Sequence, residues 1–236
     1  MKTAVAIRNI TKAFGGVKAL DGVSFDVEEK RTYGIIGPNG SGKTTLLNVI
    51  NGFHAPNSGT IMFDGNRIEG LSPHIFARRG ISRTFQVPKV FRKMTVFENV
   101  LVPAVAERRM TPTEAQEKAL SLLRLVGLDG FKDQYASVLS GGQQKLLEFA
   151  RALMCDPSVL LVDEPFVGVH PTLKNEFVKL FTSMKDSTII MVSHETALIG
   201  RVCHTVVVLD AGKKVIEGDP REVLADPRVI EAYLGT

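Results

Sequence analysis

Residues 37 to 45, GPNGSGKTT, carry the residue types and spacing that bind phosphate: Gly37, Gly42, Lys43 and Thr44 fill the four fixed places of G-x-x-x-x-G-K-[ST]. Gly37, Gly40 and Gly42 let the backbone take positive φ and bring its N–H groups up to phosphate oxygens, where a Cβ would intrude. Lys43 adds a point charge for β- and γ-phosphates, and the Thr44 hydroxyl is a candidate Mg²⁺ ligand. Pro38, Asn39, Ser41 and Thr45 complete the candidate binding loop. A second group, Asp163-Glu164, closes the apolar run Val159 to Val162. An acid there can hold Mg²⁺ through water, which leaves Glu164 to orient or deprotonate a water beside the γ-phosphate. A positioned general base is worth ~10² to 10⁴ in rate. A third group is LSGGQQK, residues 139 to 145, in which Ser140, Gly141 and Gly142 stand at the start of an amphipathic helix and offer N–H groups and a hydroxyl to an anion. Such a terminus contributes only ~0.3 to 1 kcal/mol when exposed and ~2 when partly buried, so it can sense a phosphate but not replace Lys43, Mg²⁺ and a base. A glycine-rich helix cap with no ligand fits the same residues.

These groups need elements to hold them. Thr32 to Ile36 reads as a short buried strand, and Thr44 to Asn51 as a helix whose N-terminus faces the anion. Val159 to Val162, Thr188 to Val192 and Val206 to Leu209 are apolar runs that fit buried parallel strands. They alternate with helices opened by Pro171 and centred on Leu198, Ile199 and Val202, which implies a parallel sheet with its ligands at the carboxyl ends of the strands. Val5 to Ile10 and Val23 to Val27 alternate like strands joined by TKAFGGVKALDG, and Ile61 to Phe63 precedes an Asp64-Gly65 turn. Ser72-Pro73 opens a short helix through Arg79, and Thr111-Pro112-Thr113-Glu114 is a capping box for a helix stopped by Gly127. Between Val87 and Asp156 the signals are helical, so this stretch is expected to be inserted between two strands of the core sheet. Asp219-Pro220 and Asp226-Pro227 each start a terminal helix, the last ending at Gly235.

With 44% hydrophobic and 23% charged residues in 236, the chain can bury a sizeable core as one large α/β unit with a smaller subdomain. No apolar run approaches the ~18 residues that span a bilayer, and Met1 to Asn9 lacks the apolar stretch of a signal peptide. The expectation is therefore a cytosolic chain that meets a membrane only through a partner. A net charge of +4 is too small to announce nucleic-acid binding. Arg78, Arg79, Arg83, Lys89, Arg92 and Lys93 do cluster, either as a solvated face or as a surface for anionic headgroups or a membrane partner. Cys155 and Cys203 lack metal-ligand spacing and read as buried free thiols.

Taken in order, GPNGSGKTT, Gln86 in RTFQ, LSGGQ, and DEP followed by His194 in MVSHE resemble the nucleotide-binding subunit of an ABC transporter over essentially the whole chain. The resemblance implies the P-loop NTPase ABC ATPase fold, α/β, with a RecA-like parallel-sheet core, a small antiparallel β subdomain and an inserted helical subdomain. It divides one domain, residues 1–236, into a core of 1–86 and 157–236 and a helical subdomain of 87–156. It implies ATP and Mg²⁺, with Phe14 stacked on adenine, Thr44, Gln86 and Asp163 around the metal, Gln86 also at the attacking water, and His194 on the γ-phosphate beside Glu164. Ser140, Gly141, Gly142 and Gln143 would serve the nucleotide of a second, head-to-tail subunit, in a homodimer or a heterodimer. Transmembrane permease subunits would dock a coupling helix near Gln86 and hold the chain at the cytoplasmic face of the membrane, with a substrate-binding protein acting indirectly in an importer. His170 departs from the pattern, standing in PFVGVHP where the family usually has Asp or Asn, and this bears on communication between subunits.

RTFQ, FRKMTVFENV and the AYLG ending are similar to the ATPase subunits of importers for branched-chain amino acids and related amides. EPFVGV and YLG also resemble the subunit that powers lipopolysaccharide export. A soluble ABC ATPase acting on nucleic acid or ribosomes is the alternative of another class; those relatives generally carry two cassettes or a long coiled-coil insertion, which this chain lacks.

Overall fold

The computed structural model describes residues 2–107 and 110–234. In chain order, β1 (Thr3–Phe14) and β2 (Val17–Glu28) form a hairpin that turns at Gly15-Gly16. β3 (Thr32–Ile36), wholly buried, runs through the phosphate loop into α1 (Lys43–Ile50). β4 (Ser58–Phe63), the stub β5 (Asn66–Arg67), α2 (Pro73–Arg78) and the three-residue β6 (Ile81–Arg83) follow. Next come α3 (Val96–Glu107), α4 (Pro112–Leu125), two short 3₁₀ turns and α5 (Gly141–Leu153). The chain then alternates β7 (Val159–Asp163), α6 (Pro171–Ser183), β8 (Thr188–Val192), α7 (Thr196–Val202) and β9 (Thr205–Asp210). It closes with β10 (Lys213–Gly218), α8 (Pro220–Ala225) and α9 (Pro227–Leu234).

One sheet has the order β2-β1-β4-β5 and is antiparallel; the other runs β10-β9-β3-β8-β7-β6, parallel except for β10. The central strands are covered on both faces, so their residues alternate between two cores. Ile35, Leu161, Ile190, Val192, Val207 and Leu209 face α1 and the antiparallel sheet, while Ile36, Leu160, Val162, Ile189, Met191 and Val208 face α5, α6 and α7. α1 is thus held between the two sheets, and its buried Leu46, Leu47, Val49 and Ile50 set the attitude of the loop before it.

The buried strands at 32–36 and 188–192 match their apolar runs residue for residue. The segment TKAFGGVKALDG is strand almost throughout rather than connection, because Lys12, Ala13 and Phe14 pair back onto Leu20, Lys18 and Val17. β6 and β10 give too little pattern to read: β6 is three residues long and exists through parallel pairing to Val159, Leu160 and Leu161, and β10 is a half-buried edge. The Thr111 capping box forms as expected, whereas Ser72 occupies its N-cap position without a side-chain bond. The basic cluster is corrected at one position. Arg83 does not belong to a surface, its side chain being 5% exposed, while Arg78, Arg79, Lys89, Arg92 and Lys93 are exposed. Cys203 is a buried free thiol as expected, but Cys155 is only half buried. The expected stop at Gly235 lies outside the described residues.

Candidate active site

The turn from β3 into α1 can be built only with glycine at two points. A Cβ on Gly37 (φ +151°) would lie 2.0 Å from the Leu209 carbonyl oxygen, and one on Gly42 (φ +103°) 2.4 Å from that of Ala19. Gly42 is the N-cap of α1 and no side chain caps the helix, so its first-turn N–H groups stay available to an anion at the positive end of the helix. Lys43 folds back over the loop and donates to the carbonyls of Gly37 and Pro38, each at 2.8 Å. Burial holds its ammonium below the usual lysine range, and the carboxylates of Glu164 and Asp163 pull it back.

A cleft of about 390 Å³ opens on this loop. Asn39, Gly40, Gly42, Lys43, Thr44, Thr45, Gln86, Glu164 and His194 line it, so four separate stretches of sequence arrive at one place with Ala19 and Val167 beside them. Glu164 sits just past the end of β7 at φ +46°, a left-handed conformation costly for a residue with a Cβ and typical of functional sites. Its amide donates to Val192 (2.9 Å), and its carboxylate accepts from the His194 amide (3.3 Å) with His194 Nδ1 3.0 Å away. The carboxylate is therefore oriented at the mouth of the cleft by the chain that leaves β8.

Asp163, the last residue of β7 and the neighbour of the cleft-lining Glu164, is 4% exposed. Its Oδ2 accepts from Arg83 (2.9 Å), and its Oδ1 is buried without a hydrogen-bond partner among the described residues. An orphaned carboxylate oxygen on the residue before the cleft-lining Glu164 fits a hydrated Mg²⁺: hard oxygen donors with room for water are what that ion takes. The Ser41 hydroxyl is likewise buried and unpartnered.

Other expected residues lie elsewhere. Phe14 is not in the cleft wall; it is 44% exposed, packs edge-on to His54 with ring centroids 5.1 Å apart and carries the Lys12 ammonium over its ring at 5.0 Å. Ser140, Gly141, Gly142 and Gln143 form the tip of α5 and do not line this chain's cleft. A full capping box closes that tip: Ser140 N donates to Gln143 Oε1 (2.9 Å), and Gln143 N donates to Ser140 Oγ (3.3 Å). His170 caps α6, its Nδ1 accepting from the Thr172 amide at 3.4 Å.

Four residues of the site were not found by the sequence reading. The Arg83 guanidinium is held by Asp163 and by Asn48 Oδ1 (2.7 Å) and lies over the rings of Phe53 and Phe85. Glu148 on α5, 2% exposed, accepts from the amides of Phe85 (3.0 Å) and Lys89 (2.7 Å) and so grips the segment on both sides of Gln86. Burial raises its pKa, and those two amides and Arg151 oppose the shift. The Tyr233 hydroxyl on α9 accepts from the Gly37 amide at 2.7 Å, and burial lifts its pKa to about 12. Lys145, 8% exposed, donates to the Glu164 carbonyl at 2.6 Å. None of the four gave a signal in sequence, because each is bonded to a group on another element.

A groove of about 400 Å³ lies on the far side of the Gln86 segment, between α2, α3 and α5. Phe53, Phe85, Pro103, Glu148 and Arg151 are among its walls. No helix among the described residues is long and apolar enough to cross a membrane.

Comparison with known proteins finds relatives over nearly the whole chain. The family profile described as ABC transporter matches residues 20–167, and that described as branched-chain amino acid ATP-binding cassette transporter matches residues 213–236. The high-affinity branched-chain amino acid transport ATP-binding protein BraF of Pseudomonas aeruginosa is 37% identical, the match covering 97% of this chain and 96% of that one. The corresponding protein LivG of Escherichia coli is 32% identical, over 98% and 97%. Among solved structures, the ADP conformation of an ATP-binding cassette of an ABC transporter superposes with a TM-score of 0.90 at 35% identity over the whole of both chains. A dimeric post-hydrolysis state of an ATP-binding cassette bound to ADP and Pi superposes with a TM-score of 0.83 at 28% identity, over 92% and 99%.

Proposed function

The chain belongs to the ABC transporter family, and from that premise we propose that it is the ATP-hydrolysing subunit powering uptake of branched-chain amino acids or related amides. The observation that carries the ATPase reading is the convergence of Lys43, Thr44, Gln86, Glu164 and His194 on one cleft, with the orphaned Oδ1 of Asp163 on the residue before Glu164. The named relatives support the substrate class.

The residues divide the work. The loop amides, the α1 N-terminus and Lys43 bind the phosphates; as ATP enters, the lysine exchanges the Gly37 and Pro38 carbonyls for phosphate oxygens. Thr44, Gln86 and, through water, Asp163 would hold Mg²⁺, which when bound supplies charge neutralisation at the β- and γ-phosphates. Glu164 takes the proton of the attacking water, and His194, which already orients it, reaches the γ-phosphate. Phe14 offers its exposed ring to adenine, outside the phosphate cleft. The α5 tip, with Ser140, Gly141, Gly142 and Gln143, closes a second subunit's site rather than its own. The apolar groove receives a helix of the permease, and the exposed Lys89, Arg92 and Lys93 face the same partner or the membrane around it. The chain is then peripheral to the cytoplasmic face of the membrane.

Replacing Ser140 by Arg puts a bulky cation at the α5 tip. ATP binding to the single chain should persist, while ATP-dependent dimerisation in size-exclusion chromatography disappears. If the clamp is worth about 2 kcal/mol, turnover falls roughly thirtyfold. Loss of ATP binding itself would mean that LSGGQ serves its own chain. The substrate class is tested by purifying the chain with its native membrane subunits and measuring ATP-driven leucine uptake in vesicles; uptake independent of ATP, or none, would overturn it.

A further inference from the structure

Glu164 is held at three points, of which its amide and its carboxylate are fixed by β8 and the segment after it. The third is its carbonyl, which accepts from the Lys145 ammonium at 2.6 Å. That carbonyl belongs to the peptide joining Glu164 to Pro165, a residue with no N–H to donate, so the lysine anchors the backbone just where it leaves its left-handed turn. A buried ammonium costs free energy unless it is bonded. Here the carbonyl bonds it while the carboxylates of Glu164, Glu148, Asp163 and Glu195 face it without forming a close ion pair. Lys145 stands on α5 five residues after Ser140, or about 7 Å along the axis at 1.5 Å per residue, behind a tip made rigid by its capping box.

We propose that Lys145 is a positioning residue for hydrolysis, holding the Glu164 carbonyl so that the strained backbone keeps the carboxylate aimed into the nucleotide cleft from the helix whose tip meets the second subunit. This rests on the reading of Glu164 as the base. An ammonium in this role acts on kcat and leaves ATP affinity alone, because its one bond to the cleft is to the Glu164 backbone, and it neither lines the cleft itself nor bonds the phosphate loop.

The test compares Lys145→Met, which keeps the length of the side chain and removes its donors, with Lys145→Arg, which keeps donors, alone and in a Glu164→Gln background. Expected for the methionine is a fall in kcat of about tenfold to hundredfold, the scale of an ångström's misplacement of a catalytic group, with KM and ATP affinity within about twofold. The arginine should recover most of the turnover. In the Glu164→Gln background the methionine should leave residual hydrolysis unchanged, because a residue acting through Glu164 has nothing left to position. If the methionine does not fold, Lys145→Gln is read in the same cycle. Normal turnover in Lys145→Met (or in Lys145→Gln, where the methionine does not fold), or an equal loss with and without Glu164, would overturn the proposal. Normal turnover in Glu164→Gln alone would instead overturn the base assignment beneath it.

Discussion

Replacing Glu164 by Gln is expected to lower ATP turnover by ~10² to 10⁴ while ATP still binds. The amide has the size of the carboxylate, and its oxygen can still accept the His194 amide that now lies 3.3 Å from Oε2, so the cleft should keep its shape. What is lost is the proton acceptor, and the expected loss corresponds to roughly 3 to 5 kcal/mol of transition-state stabilisation. Binding is left intact because Lys43, the loop amides and the α1 N-terminus lie on a different element from β7. Trapped before hydrolysis, the variant should elute as an ATP-stabilised dimer in size-exclusion chromatography. Turnover equal to that of the unsubstituted chain would remove Glu164 from the mechanism.

The second large effect is on stability. Arg83 and Asp163 are 5% and 4% exposed in their side chains, and their ion pair is buried between β6 and β7. Removing one member of such a pair leaves the other charged and dry, which costs about 3 to 5 kcal/mol. Arg83→Met should therefore destabilise the nucleotide-free chain by about that amount in urea unfolding. Its thermal midpoint should fall by roughly 6 to 20 °C, on a scale of about 2 to 4 °C per kcal/mol for a chain of this size. The double variant Arg83→Met, Asp163→Asn should recover part of the loss, because the uncompensated charge is gone. A loss below about 1 kcal/mol in the single variant would mean that water reaches Asp163 and that its second oxygen is not orphaned.

Much of the site was legible because its signals are local. GPNGSGKTT needs only its own glycines and the helix that follows; Ser140 and Gln143 cap α5 across three residues; the apolar runs at 32–36, 159–162 and 188–192 each fit one buried strand. Reading Arg83 as surface charge failed for the complementary reason. Its neighbours in sequence are basic, but its partner is 80 positions away and reaches it only because three residues pair as an edge strand beside β7. The surroundings of Phe14 also follow from pairing: its strand extends past the expected end, and the hairpin with β2 sets the ring against His54.

Spacing within a few residues was enough for the phosphate loop, most of the helices and buried strands, and the chemistry available at each strand end, but not for β6, β10 or the full length of the first hairpin. Which groups hold which was settled by packing. Lys145 meets the Glu164 carbonyl, Glu148 grips the amides of Phe85 and Lys89, and Tyr233 meets Gly37 across 196 positions. Each of these bonds joins groups on different elements, so each exists only after helix and sheet have packed, and no periodicity in the sequence announces it.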